Sequence, residues 1–158
     1  KKKELKPEAQ DGVTVKGYGG MVTRFAKCCN PVPGDDITGY ITRGRGVSVH
    51  RKDCSNLKDM DIEKGRLIEV AWVSDERSAY EVEIELVAAD RPGLIAEVSG
   101  LIYSMGLSIT AINARAAKNK TASVKITLEI KNTGHLLEIM KKLRELPGIT
   151  DVYRIHNG

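Results

Sequence analysis

Polar and apolar positions alternate most regularly in the back half of the chain. Tyr80, Val82, Ile84, Leu86 and Ala88 alternate with Glu81, Glu83, Glu85 and Val87, the period of a strand with one buried face. Asp90-Arg91-Pro92-Gly93 ends that strand, and Leu94, Ile95, Val98, Leu101, Ile102 and Met105 then recur at helix spacing. Asp90 is placed to cap this helix, Pro92 suits its first turn, and Gly106 stops it. The pattern predicts a second strand over about 107–116, a turn at Lys118-Asn119-Lys120, and a third strand in which Ala122, Val124, Ile126, Leu128 and Ile130 alternate with polar residues. Leu136, Leu137, Ile139, Met140 and Leu143 return to helix spacing, Pro147-Gly148 closes the helix, and 149–156 gives a last strand. The order β-α-β-β-α-β predicts a four-stranded antiparallel sheet with two helices on one face and the second and fourth strands at its edges.

The front half is broken into short pieces by Gly17, Gly19, Gly20, Pro31, Pro33, Gly34, Gly39, Gly44 and Gly46. Its pattern predicts a strand over 13–16, a short helical turn over 21–26, and a hairpin of 37–42 with 47–50 across Arg43-Gly44-Arg45-Gly46. A linker is expected over 57–65 and a strand joining the two halves over 66–73. A module this small, with so few aliphatic residues, usually needs a metal, a disulfide or a partner to stay folded.

That need directs attention to the cysteines. All three, Cys28, Cys29 and Cys54, lie in the front half, with His50 nearby. An odd number of cysteines beside a histidine favours metal over disulfide in a reducing compartment. His50-x3-Cys54 on one helical turn would present two ligands on one face, and Cys28 with Cys29 would complete a tetrahedral, structural zinc shell. Neighbouring side chains diverge, so two alternatives stay open: one of the adjacent pair is a core cysteine replaced by Asp53 or water, or all three are reduced core thiols with His50 hydrogen-bonded beside them. A Cys–His nucleophilic site lacks an orienting acid and a cleft. His135 and His156 read as surface residues.

Charge adds one further feature. The chain has 158 residues and a net charge of +4; the surplus lies in residues 1–72, with 14 Lys and Arg against 10 Asp and Glu, while 73–158 balance at 11 against 11. No acid occurs over 37–52, where Arg43, Arg45, Arg51 and Lys52 fall, a stretch suited either to phosphate or to plain solvation. No run of about 20 apolar residues is present and no apolar signal region follows the N-terminal lysines, so no membrane partner and a cytoplasmic location are expected. The absence of an initiating Met points to a piece of a longer polypeptide.

The segment Ala26-Lys27-Cys28-Cys29-Asn30-Pro31-Val32-Pro33-Gly34-Asp35, continued by Ile37-Thr38-Gly39-Tyr40-Ile41-Thr42-Arg43-Gly44-Arg45-Gly46-Val47-Ser48-Val49-His50 and Asp53-Cys54, closely resembles the conserved-cysteine, zinc-finger-like domain of long RelA/SpoT-type (p)ppGpp synthetase/hydrolases. In that family an ACT domain follows directly, and the βαββαβ half with Asp90-Arg91-Pro92-Gly93-Leu94 is similar to one. The resemblance implies an α+β chain: a linker over 1–12, a small metal- or cysteine-centred α/β module over 13–65, a connecting strand over 66–79 and a ferredoxin-like ACT domain over 80–158. It implies a regulatory, non-catalytic region of a GTP pyrophosphokinase of the stringent response, with or without hydrolase activity in the parent. Neither the family's metal-binding His-Asp pair nor a nucleotide loop is found in these residues. By position, Cys28, Cys29, His50 and Cys54 match the family's zinc ligands, and the basic hairpin would face ribosomal RNA when deacylated tRNA occupies the A site. The implied partners are the ribosome, the protein's own catalytic domains and a second copy of itself.

A second functional class is an amino-acid sensor that acts through dimerisation. Its pocket would lie where the first ACT strand turns into its helix, with Gly93 admitting the ligand to backbone N–H groups, Asp90 taking the ammonium group, and Ser108 and Asn113 opposite. A third class, an RNA-recognition sheet, is opposed by the open face itself: Glu81, Glu83 and Glu85 beside Ser123, Lys125 and Thr127 offer no ring for base stacking and repel phosphate.

Overall fold

Ten strands and three α-helices account for most of the residues that the computed structural model describes, namely 12–17, 21–59, 64–73 and 79–155. Contacts divide the chain into two compact units with the boundary at 78/79.

The first unit contains β1 (Val13–Val15), β2 (Thr23–Phe25), β3 (Ile37–Ile41), β4 (Val47–Arg51), α1 (Ser55–Asp59), a 3-10 turn (Lys64–Arg66), β5 (Leu67–Ile68) and β6 (Val70–Trp72). The expected hairpin is β3–β4, in antiparallel register from Ile37↔Arg51 to Ile41↔Val47. It is the centre of a sheet ordered β2-β4-β3-β5, and β1 pairs separately with β6. Val13, Val15, Ile37, Val47, Val49 and Val70 form the buried core, with Phe25 stacked on Trp72 at 5.5 Å between ring centroids.

Three expectations for this half are corrected. Residues 21–26 are not a helical turn: β2 runs parallel to β4, with Val47 N–H donating to the Val22 carbonyl at 2.8 Å. The strand exists through that distant pairing, which local periodicity does not register. Of the linker expected over 57–65, residues 57–59 end α1, with Leu57 buried against Ala26, Cys29 and Cys54, while 60–63 lie outside the described residues. Residues 66–73 are not one strand: β5 pairs with β3 and β6 with β1, both within the first unit, and 74–78 lie outside the described residues.

The second unit contains β7 (Tyr80–Ala89), α2 (Leu94–Ser104), β8 (Ile109–Ala116), β9 (Thr121–Ile130), α3 (Thr133–Arg144) and β10 (Ile149–Arg154). Its sheet is antiparallel in the order β10-β7-β9-β8, so the second and fourth strands of the unit are the edges. Val82, Ile84, Leu86, Val124, Ile126 and Leu128 fill the covered face with Val98, Ile102, Leu136, Ile139 and Leu143 from the helices. Leu137, expected on the apolar face of α3, is 63% exposed.

Helix α2 starts differently from expectation. Gly93, at φ 81°, is its N-cap with no side-chain cap, and Asp90 does not serve as one. The end is as expected: Gly106, at φ 74°, donates its N–H to the Tyr103 carbonyl, and Leu107 donates to that of Ile102, a Schellman closure. Asn132 caps α3 by accepting the His135 N–H at 2.9 Å, while His135 Nδ1 accepts from Lys131 N–H at 3.2 Å. His135 is therefore half-buried in a cap, and His156 lies outside the described residues.

Candidate metal centre

Two backbone features deliver the four candidate ligands to one point. Asn30 N–H donates to the Ala26 carbonyl at 2.9 Å, and Asn30 sits at φ 42°. The helical turn so formed directs the adjacent Cys28 and Cys29 side chains to the same side instead of opposite sides. On the other arm, His50 lies in β4, and Cys54 follows a tight turn in which Cys54 N–H donates to the Arg51 carbonyl at 3.0 Å. The His50-x3-Cys54 spacing thus spans a strand and a turn, not one helical turn.

The ligand atoms of Cys28, Cys29, His50 and Cys54 all lie within 4.8 Å of one another. Cys28 Sγ is 3.6 Å from Cys54 Sγ, 4.0 Å from Cys29 Sγ and 3.4 Å from His50 Nδ1, and Cys29 Sγ is 3.9 Å from Nδ1. Zinc–sulfur bonds near 2.3 Å and zinc–nitrogen bonds near 2.0 Å in a tetrahedron separate ligand atoms by roughly 3.6–3.8 Å. The residues present therefore fit a structural zinc shell with no open position. Asp53 is not part of the cluster.

The surroundings suit the same role. Ser48 Oγ is 3.0 Å from His50 Nε2, so the hydroxyl can accept the Nε2 proton of the tautomer whose Nδ1 lone pair faces the cluster. Burial lowers the His50 pKa, which favours the neutral ring. Burial raises the Cys28 and Cys29 thiols, so metal binding must displace their protons. Arg51 N–H donates to Cys29 Sγ at 3.4 Å. Ser48 went unremarked in the sequence, although its i, i+2 spacing to His50 on a strand puts both on one face.

The basic residues divide. Arg43 and Arg45 are exposed in the hairpin loop, which Thr42 staples: its Oγ1 donates to the Gly46 carbonyl at 2.7 Å and accepts from Arg45 N–H at 3.2 Å. Lys52 is also exposed. Arg51 is not available to RNA as expected; its side chain is 9% exposed and paired with Asp53 at 2.7 Å. The alternation that buries Val47 and Val49 buries Arg51 as well.

The expected amino-acid pocket is not assembled as one concavity. Asp90 and Gly93 are exposed, and a Cβ on Gly93 would meet nothing within 4 Å. Ser108 lines a concavity of about 550 Å³ with Ser99, Tyr103, Gly106, Leu107 and Ile109. Asn113 lines another, of about 270 Å³, with Glu85, Arg115, Ser123 and Lys125 on the open sheet face. There Ser123 and Tyr153 hydroxyls donate to Glu85 and hold its carboxyl below the usual range.

Comparison with known proteins joins these observations. The RelA/SpoT RIS domain family matches residues 13–73, and an ACT domain family matches 76–154. The bifunctional (p)ppGpp synthase/hydrolase RelA of Mycobacterium tuberculosis is 37% identical over 152 residues, which is 95% of this chain and 21% of that protein. The GTP pyrophosphokinase of Streptomyces coelicolor is 35% identical over 97% of this chain and 18% of its own length; that of Escherichia coli K12 is 33% identical over 92% and 20%. The crystal structure of the ACT domain from the GTP pyrophosphokinase of Chlorobium tepidum is 27% identical, covering 49% of this chain and all of its own, with a TM-score of 0.44. The chain spans about a fifth of the length of these curated relatives: the 158 residues hold the RIS and ACT regulatory part and none of the catalytic domains. Among the described residues no helix is long and apolar enough to cross a membrane. With both of its units matched and the order of the two preserved, the chain belongs to the RelA/SpoT family as its RIS–ACT regulatory region.

Proposed function

We propose that this region, in a cytoplasmic stringent-response GTP pyrophosphokinase, contacts ribosomal RNA through the β3–β4 loop and so couples A-site tRNA status to (p)ppGpp synthesis by catalytic domains elsewhere in the protein. The observation that carries the reading is the pair of exposed arginines, Arg43 and Arg45, on an acid-free loop that Thr42 holds in one conformation. A rigid loop loses little entropy when it meets phosphate, and Arg matches phosphate geometry well. Zinc at Cys28, Cys29, His50 and Cys54 has a structural role in this reading: it ties β4 and the Cys28–Cys29 turn together at the opposite end of the hairpin.

Arg43→Glu with Arg45→Glu will weaken binding to ribosomes and lower (p)ppGpp synthesis by the full-length enzyme in response to deacylated tRNA. The salt dependence of binding should flatten by roughly 0.9 per lost phosphate contact in log–log slope. Filter binding at several salt concentrations reads this directly; a slope and affinity equal to wild type would reduce the loop to a solvated turn.

A second reading, an ACT unit that senses amino acids through dimerisation, is favoured by the edge strand β8 and the apolar concavity beside it, where Tyr103 is 82% exposed. An unpaired edge next to exposed apolar surface suits a second copy. The expected result is a dimer in sedimentation that branched-chain amino acids shift and Ile109→Lys abolishes. A monomer under every condition would exclude this reading.

A further inference from the structure

Arg51 is a buried cation that neither the ligand set nor the RNA reading employs. It occupies the first position of the turn that carries the chain from His50 to Cys54, and three of its groups tie that turn together. Its N–H donates to Cys29 Sγ at 3.4 Å, its carbonyl accepts from Cys54 N–H at 3.0 Å, and its guanidinium reaches across the turn to Asp53 Oδ2 at 2.7 Å. The side chain is 9% exposed although one guanidinium nitrogen, Nη1, has no hydrogen-bond partner. Leaving a buried charged donor unsatisfied is costly, so the position is held for some compensating gain. No catalytic group lies near, and a solvated arginine would serve a phosphate better.

We propose that Arg51 is a positioning residue for the metal centre: its ion pair with Asp53 locks the Arg51–Cys54 turn and so holds His50, Cys29 and Cys54 in coordinating geometry in the folded module. The inference rests on the zinc reading of the four-residue cluster and goes beyond it. Lysine keeps the charge but not the directed Nη2–H bond to Asp53 Oδ2.

The test is zinc affinity by chelator competition, with cobalt(II) absorption as a report on the ligand set. Arg51→Met should bind zinc 10–100-fold more weakly than wild type, while the thiolate–cobalt bands keep their positions, because all four ligands remain. Arg51→Lys should recover only part of the loss. Asp53→Asn, at a 57% exposed partner, removes the ion pair without emptying a buried site, and should weaken zinc in the same direction even where Arg51→Met does not fold. The two changes combined should cost less than their sum, as expected for one shared interaction. Wild-type zinc affinity in Arg51→Met or Asp53→Asn, or strict additivity between them, would overturn the positioning role. A wild-type chain that takes up neither zinc nor cobalt would instead overturn the metal reading on which it rests.

Discussion

Stripping zinc from the loaded protein with a strong chelator will unfold residues 13–73 and leave the ACT unit folded. The first unit has six small buried aliphatic residues in its main core, and a second cluster built from Ala26, Cys29, Cys54 and Leu57. Metal binding supplies on the order of 10 kcal/mol in modules of this kind, comparable with the whole stability of a domain. Cys54→Ser should act like the chelator. The two units melt separately in this picture, so calorimetry of the stripped protein should lose one transition and keep the other, whose core lies on β7 and β9. The pH dependence has a definite sign. Burial raises the Cys28 and Cys29 thiols, zinc must displace their protons, and affinity therefore falls as pH falls. An unchanged first transition after complete metal removal would return the cysteines to ordinary core packing.

Gly46→Ala will destabilise the same unit by about 3 kcal/mol, the combined cost of a left-handed alanine and a lost buried hydrogen bond. Gly46 has φ 76°, and a Cβ there would lie 2.1 Å from the Val22 carbonyl oxygen. That oxygen accepts the Val47 N–H, so the methyl group displaces the entry to β2 from β4. Gly44, at φ 81° two residues earlier, meets nothing within 4 Å, and Gly44→Ala should cost only about 1 kcal/mol. Chemical denaturation of the two variants checks both figures, and equal losses would locate the effect in backbone conformation alone. Because β2 leads into the Cys28–Cys29 turn, Gly46→Ala should also weaken metal binding.

The ACT unit was largely legible because its elements bury one face each: β7 and β9 show period 2 and α2 and α3 show helix spacing without help from distant residues. The β3–β4 hairpin was legible for the same reason, with glycines marking its loop. What escaped depends on tertiary pairing. Three residues of β2, two of β5 and three of β6 are too short to show a period, and each is a strand only because β4, β3 or β1 lies beside it. In the metal centre the residue types and the four positions were readable, but the means of delivery was not: Asn30 at positive φ lets two adjacent cysteines converge, and spacing alone suggested the opposite. Arg51 was assigned to RNA by its charge, although its place two residues after Val49 on a strand already put it on the buried face. Asp90 failed as a cap because Gly93 adopts a left-handed conformation three residues later, which moves the helix start beyond its reach.

The pairing of β1 with β6 also determines how this module bears tension. Val13 lies opposite Trp72 and Val15 opposite Val70, so the chain enters and leaves at the same end of one antiparallel ladder. Force applied through the flanking polypeptide loads the bond from Val73 N–H to the Gly12 carbonyl first, and the bond from Lys16 N–H to the Glu69 carbonyl last. The ladder therefore peels one bond at a time, not in shear, and its opening releases roughly 30 Å of slack from ten extended residues. The hairpin and the four ligands stay outside the load path until that slack is spent. A module held in its chain through such a ladder has a built-in strain relief ahead of its hairpin and ligand cluster.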